Sequence, residues 1–195
     1  MAAQNTTSYW TDASLEPKRN FRWRVIIPSL QSGQTVIWWV KNFKSPSYDI
    51  SEVTHNIMDN KFNFPGRLTW ADCSMTMVDP VSPNAVQLTN DIIINAGYST
   101  KSLASFQNKP TTMSKRRSVA ATGNVVVEVL NSDGNTVEKW TLFNPWIKAA
   151  TFSELSYESD DLRTIDLTWK YDWAECENFD HSGNEVGVNP QFSPK

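Results

Sequence analysis

Histidines, cysteines and paired carboxylates are the side chains from which a hydrolytic or metal site would be built, and here they are few and scattered. The chain holds two histidines, His55 and His181, and two cysteines, Cys73 and Cys176, in 195 residues. Zinc sites draw ligands from short, regular spacings such as C-x-x-C or H-E-x-x-H, and neither spacing occurs. The cysteines lie most of the chain apart, so no disulfide framework is indicated and a reducing compartment fits. No G-x-S-x-G elbow is present to aim a nucleophilic serine. Asp160-Asp161 is the one adjacent acid pair that general acid–base chemistry would use, but it falls in a turn-like stretch where acids serve solvation and local hydrogen bonding. The seven glycines never form a phosphate cradle, and Asp133 sits in a tight-turn sequence that lacks the closing glutamate of a calcium loop. The expectation is therefore a protein that is not an enzyme and has no catalytic residue, cofactor or metal.

Charge and aromatic content point instead to surfaces. The formal net charge of −3 argues against a dedicated nucleic-acid binder, yet the charges are segregated. From Tyr98 to Gly123 there are Lys101, Lys109, Lys115, Arg116 and Arg117 and no acid, whereas Glu158–Glu185 carries nine acids against Arg163 and Lys170. Opposite charges of this kind pair between copies, which makes Lys115, Arg116 and Arg117 candidate subunit-interface residues. Nine tryptophans exceed what a core of this size needs. Trp23, Trp70, Trp169 and Trp173 read as core. Trp38 and Trp39 read as candidate interface residues, because interfaces favour aromatics. Trp10, Trp38, Trp39 and Trp146, if they lined one face, would instead make a carbohydrate-binding β-sandwich module, the reading from another functional class.

The elements that hold these residues are mostly strands. Ile165, Leu167, Trp169, Tyr171 and Trp173 alternate with Asp166, Thr168, Lys170 and Asp172, which predicts one strand over Leu162–Trp173 with a buried and a wet face. Asp166, Lys170 and Asp172 share the wet face. Phe21–Ile27 alternates likewise. Val36–Val40 is continuously apolar, so the strand Thr35–Phe43 has both faces covered. Short extended pieces are expected over Ile50–Met58 and Lys61–Phe64, a turn at Pro65-Gly66, and a long strand over Arg67–Val78. Ser82 as N-cap, Pro83 and Gly97 bracket the one expected helix, about 83–96, with Ala85, Leu88, Ile92 and Ala96 on one stripe. Tyr98–Thr122 has no period and reads as a long loop. Val125–Leu130 and Val137–Leu142 flank an Asp-Gly turn and make a hairpin. Ile147–Leu155 is another strand. The expected organisation is an N-terminal extension over 1–20, one antiparallel β-sandwich or barrel with one α-helix over 21–174, and a C-terminal tail over 175–195. Met1–Asn20 lacks a signal-peptide pattern, and no apolar run is long enough to span a membrane, so no membrane partner is expected.

The order of these features resembles the major tail tube proteins of contractile-tailed phages of the T-even type, over about residues 17–174. The residues that carry it are Pro17-Lys18-Arg19-Asn20-Phe21 leading into the first strand and Val40-Lys41-Asn42-Phe43-Lys44-Ser45-Pro46 ending the second. Asn60–Gly66 follows, then Trp70 ahead of Ser74–Asp79. The series closes with Trp146, Leu155-Ser156-Tyr157, an acidic turn and Ile165–Trp173. The resemblance implies a non-catalytic subunit that forms six-membered rings stacked into a tube inside a contractile sheath. It further implies a lumen that conducts genome DNA, with Asp166, Lys170 and Asp172 as candidate lumen-facing residues. Implied partners are further copies of the chain, the sheath protein, the tape measure protein, the baseplate and tail-terminator proteins and, in transit, double-stranded DNA. The implied location is the virion tail, assembled in the host bacterial cytoplasm. A baseplate tube-initiator and a secretion-system tube protein share the architecture and are the related alternatives.

Overall fold

The computed structural model describes residues 17–30, 39–98, 112–158, 160–180 and 182–188. Two antiparallel sheets face each other across the core. One has five strands in the order β1 (Trp23–Ile26), β6 (Val125–Leu130), β7 (Thr136–Phe143), β10 (Trp173–Phe179) and β11 (Glu185–Val188). The other has four, in the order β2 (Val40–Phe43), β5 (Cys73–Val78), β9 (Thr164–Lys170) and β8 (Trp146–Phe152). A separate two-stranded ribbon, β3 (Tyr48–Ile57) with β4 (Asn60–Trp70), leaves the body. Two helices, α1 (Ala85–Asn95) and α2 (Lys115–Thr122), pack on each other and on a 3-10 turn at Pro28–Leu30. The mostly-β antiparallel class is as expected, with a second helix added.

Period-two alternation places the core. Cys73, Met75 and Met77 stand opposite Trp169, Leu167 and Ile165, all six essentially without solvent exposure, while their neighbours Ser74, Thr76, Thr168 and Asp166 turn outward. Val25, Val127 and Leu142 of the five-stranded sheet close the core from the other side.

Four boundaries differ from expectation, each for a physical reason. Leu162–Trp173 is not one strand. Backbone pairing with β8 ends at Lys170, and the chain turns through Tyr171-Asp172 to enter the other sheet as β10. The stretch beyond Ala174 is not a tail, since β10 lies inside the five-stranded sheet and β11 covers its edge. Glu177 is paired across the strand with Lys139, and Ala174 and Cys176 face inward. The supposed loop ends in α2. That helix hides Ser118 and Thr122 rather than a hydrophobic stripe, and the Thr122 hydroxyl returns to the Ser118 carbonyl at 3.0 Å, so no apolar period announces it. Residues 99–111 lie outside the described ones. The N-cap of α1 is Asn84, whose side chain accepts from the Gln87 amide at 2.9 Å, and Ser82 stands two residues earlier.

Gly97 closes α1 at φ +108°, and a Cβ there would meet the Thr112 carbonyl oxygen at 2.5 Å. Both the left-handed backbone and the contact exclude a side chain. Gly97→Ala is expected to cost about 1–3 kcal/mol, read as a lower urea midpoint with an unchanged m-value.

Candidate assembly interface

The β3–β4 ribbon is the longest element pair in the protein and the most exposed. Its ten-residue strand reaches about 30 Å at the usual rise per residue. Every residue of β3 is exposed, as is β4 as far as Arg67. The root is fixed to the body. Trp70, 9 % exposed, packs on Tyr171 with ring centroids 5.8 Å apart and takes the edge of Tyr48 at 5.4 Å. A bulge at Gly66-Arg67 puts an extra residue on β4, and a Cβ at Gly66 would meet the Ser51 hydroxyl at 2.3 Å. Near the root, Tyr48, Ile50, Leu68 and Trp70 share one face. Beyond the bulge the apolar residues lie on the opposite face, where Val53 pairs with Phe64 and His55 with Phe62, and Ile57 and Met58 complete the tip. The distal patch is open to solvent, with Val53 56 %, Phe64 53 % and Met58 97 % exposed. A monomer gains nothing from such a face; a covered one buries it.

The four-stranded sheet has open edges on both sides among the described residues, β2 at one and β8 at the other. Unpaired edge amides and carbonyls are a template for another strand. The sheet's outward face is rich in hydroxyls, from Ser74, Thr76, Thr151 and Thr168, around the carboxylate of Asp166, which accepts from the Thr76 hydroxyl at 2.5 Å.

Of the residues expected on the wet face of the final strand, Asp166 stands there. Lys170 is drawn to Asp72, with Nζ 2.8 Å from Oδ1, while Lys148 binds the second oxygen at 2.7 Å. Asp172 has left the sheet at the corner. It accepts both oxygens' worth of hydrogen bonds from Lys115 Nζ, at 2.7 and 2.6 Å, and another from Asn144 Nδ2 at 2.8 Å. The basic segment and the acidic stretch thus meet inside one chain at Lys115–Asp172, and the Lys115 side chain is still more than half exposed. Arg116 and Arg117 are exposed. Trp39 is buried in the chain's own core at 5 % exposure, so it is not an interface residue, and Trp38 lies outside the described residues. The distal ribbon face was missed because its apolar residues are interleaved with Glu52, Thr54, Asn56, Lys61 and Asn63; aligning the two strands in register is what reveals it.

Two acids of the site titrate unusually. The Lys148 and Lys170 ammonium groups hold Asp72 below its ordinary 3.8. Burial works against ionisation of Asp172, but Lys115 and Asn144 more than offset it, and its carboxyl is likewise lowered from 3.8. A lowered folded-state value means stability that is full above the ordinary carboxylate range and fades as pH falls through the folded-state value. Asp172→Asn is therefore expected to lower the urea midpoint at pH 7 and to converge on the parent protein as pH falls below the ordinary carboxylate range. A constant difference across that range would contradict the clasp. Burial pushes the Cys73 thiol up to about 11, and Tyr171 beside it is also raised, first by burial and then by that thiol, so neither is an activated nucleophile at neutral pH.

The outer face of the five-stranded sheet carries alternating charges in register, Arg24 opposite Glu128, Glu128 opposite Lys139, and Lys139 opposite Glu177. Arg24 is ion-paired to Glu128, and Lys139 to Glu177 at 2.8 Å. Opposite charges directly across strands favour this register over a slipped one. Among the described residues no group of His, Cys, Asp and Glu is arranged to hold a metal ion, and no helix is long and apolar enough to cross a membrane.

No family model and no curated sequence matches the chain. Solved structures do match its fold. A chain of the anti-feeding prophage baseplate, symmetrised six-fold, aligns with a TM-score of 0.59 at 12% identity, covering 83% of this chain and 95% of that one. A chain from the tube-terminating cap of the same particle aligns at 0.57 with 13% identity, covering 91% and 99%. A chain from the sheath–tube complex of an extracellular contractile injection system, PVC, in its extended state, aligns at 0.55 with 18% identity, covering 89% and 99%. The chain thus shares its fold with chains of these baseplate, cap and sheath–tube assemblies.

Proposed function

We propose that the protein is the structural subunit of a tail tube in a phage-tail-like contractile particle, self-assembling into stacked six-membered rings. The observation that carries this is the distal face of the β3–β4 ribbon, whose Val53, Ile57, Met58, Phe62 and Phe64 are about half or more exposed in the single chain. The open edges of the four-stranded sheet support the same reading, because β2 of one copy laid against β8 of the next closes a continuous barrel and removes both open edges of that sheet. The hydroxyl-rich face with Asp166 then lines the lumen. At one end of that face Lys148 and Lys170 share the single carboxylate of Asp72, which halves their net charge, and Asp166 adds a negative charge to the same face, so the pull on DNA phosphate is weakened. The alternating charges of the five-stranded sheet face outward to a sheath. Tape measure, baseplate and terminator proteins are the remaining partners, and the role requires no catalysis. The site of action is the virion tail, with assembly in the bacterial cytoplasm.

The sugar-binding reading loses its platform among the described residues, since Trp39 is buried and Trp146 only half-exposed. Electron microscopy of the concentrated purified protein is the test. Hollow tubes with six-fold end views support a tube body; rings that never lengthen favour the initiator; a persistent monomer overturns assembly altogether.

A further inference from the structure

Histidine is the side chain whose charge changes between about pH 5 and 8. Of the two in this chain, His181 lies outside the described residues, and His55 stands in the middle of the distal ribbon face. Across the strand it meets Phe62; Val53 and Ile57 flank it along β3, and Phe64 and Asn60 sit diagonally on β4. Beyond the bulge no other ionisable side chain shares that face. Glu52 and Lys61 belong to the opposite face, and Asp59 to the end turn. Asp49, on the same side of β3, is about 20 Å nearer the root at the usual rise per residue, and Arg67 is in the bulge. The ribbon is a sheet of its own, so among the described residues no third strand brings a charge to the imidazole.

In the single chain His55 is exposed, so water solvates a charge there. Covering the face with another copy separates the two protonation states. A neutral imidazole is desolvated at modest cost, whereas an imidazolium among Val53, Ile57, Phe62 and Phe64 has no counter-charge to replace its water. We infer that His55 is a proton switch on assembly: copies of the chain associate over this face while the imidazole is neutral and separate when it takes up a proton. The inference rests on the reading of the chain as a self-assembling subunit and adds what regulates the contact. One histidine per subunit sets the steepness. When only the neutral form associates, the association constant falls by up to about tenfold for each pH unit below the range in which the imidazole titrates. The subunit's own carboxylate clasps lie outside this window, because Asp72 and Asp172 are held below their ordinary 3.8 and stay charged through it.

The test measures the lowest concentration at which the full chain pellets as assembled particles, from about pH 8 to about pH 5.5, with thermal melts of the monomer at both ends. The parent is expected to assemble at the upper end, to need about tenfold more protein at the lower end, and to stay folded at both. His55→Gln, which carries no charge, is expected to hold one threshold across the range. His55→Lys, a fixed cation, is expected to fold like the parent and stay unassembled even at the upper end. His181→Gln is expected to respond to pH as the parent does. A parent threshold that does not move with pH overturns the switch, as does one that moves equally in His55→Gln, or a His55→Lys chain that assembles like the parent. Assembly strengthened by acid overturns it too, since the imidazolium would then be held by a carboxylate of the neighbouring copy. A parent that assembles at no pH overturns the assembly reading itself, so the two failures are distinguishable.

Discussion

Trp169→Ala is expected to remove a large share of the chain's folding stability. Trp169 is the largest fully buried side chain, central in the four-stranded sheet, opposite Cys73 on one side and Ile147 on the other. Removing a buried tryptophan costs about 3–5 kcal/mol through lost transfer energy and the cavity left behind. Domains of this size hold only about 5–15 kcal/mol in total. The ring's own chemistry sharpens the expectation. Trp169 Nε1 is buried with no hydrogen-bond partner among the described residues, so Trp169→Phe forfeits volume but also removes a group that folding left unsatisfied. The phenylalanine variant is therefore expected to retain most of the stability that alanine loses. Equilibrium urea denaturation followed by circular dichroism at a concentration where the protein is monomeric checks both. Equal losses for the two variants would show that the indole N–H contributes to stability and would overturn the argument from its unsatisfied state.

A proline in β8 is expected to separate folding from assembly. Adjacent residues of an edge strand direct their amides to opposite sides, so of Ala150 and Thr151 one donates toward β9 and the other toward the open edge. Proline removes the donor. Of Ala150→Pro and Thr151→Pro, one is expected to break the ladder to β9 and lower the melting temperature. The other is expected to melt like the parent yet sediment as a monomer, with no rings in electron micrographs. If both variants assembled normally, the sheet edge would have no part in the ring.

Strands with a clean inside and outside were legible in the sequence. Ile165, Leu167 and Trp169 alternate with polar residues, and the structure buries all three. The stripe of α1 was legible for the same reason, with Ala85, Ile92 and Ala96 buried. What alternation cannot tell is where a strand changes partner. Tyr171 is buried and continues the apolar series past the corner, so the pattern runs on while the hydrogen bonding passes from β8 to β7. Pro65-Gly66, read as a turn, runs instead into the bulge at Gly66-Arg67 inside β4, because the extra residue is absorbed by a partner strand that the local sequence does not reveal. Helix α2 escaped because its buried residues are hydroxylated. Of the tryptophans assigned to an interface, Trp38 lies outside the described residues and Trp39 is buried, while Phe62 and Phe64 on the ribbon are among the exposed aromatics that single-strand reading did not pick out.

The corner at Tyr171-Asp172 has a mechanical consequence. The chain changes sheet there, and it also changes sheet a few residues after Phe143, which stacks on Trp173 with ring centroids 5.2 Å apart. Two covalent crossings, fastened side by side by the Asp172 amide donating to the Phe143 carbonyl at 3.1 Å, therefore join the inner and outer layers at one point. A push applied to either sheet reaches the other through peptide bonds as well as through packed side chains, so the two sheets resist shear as one unit.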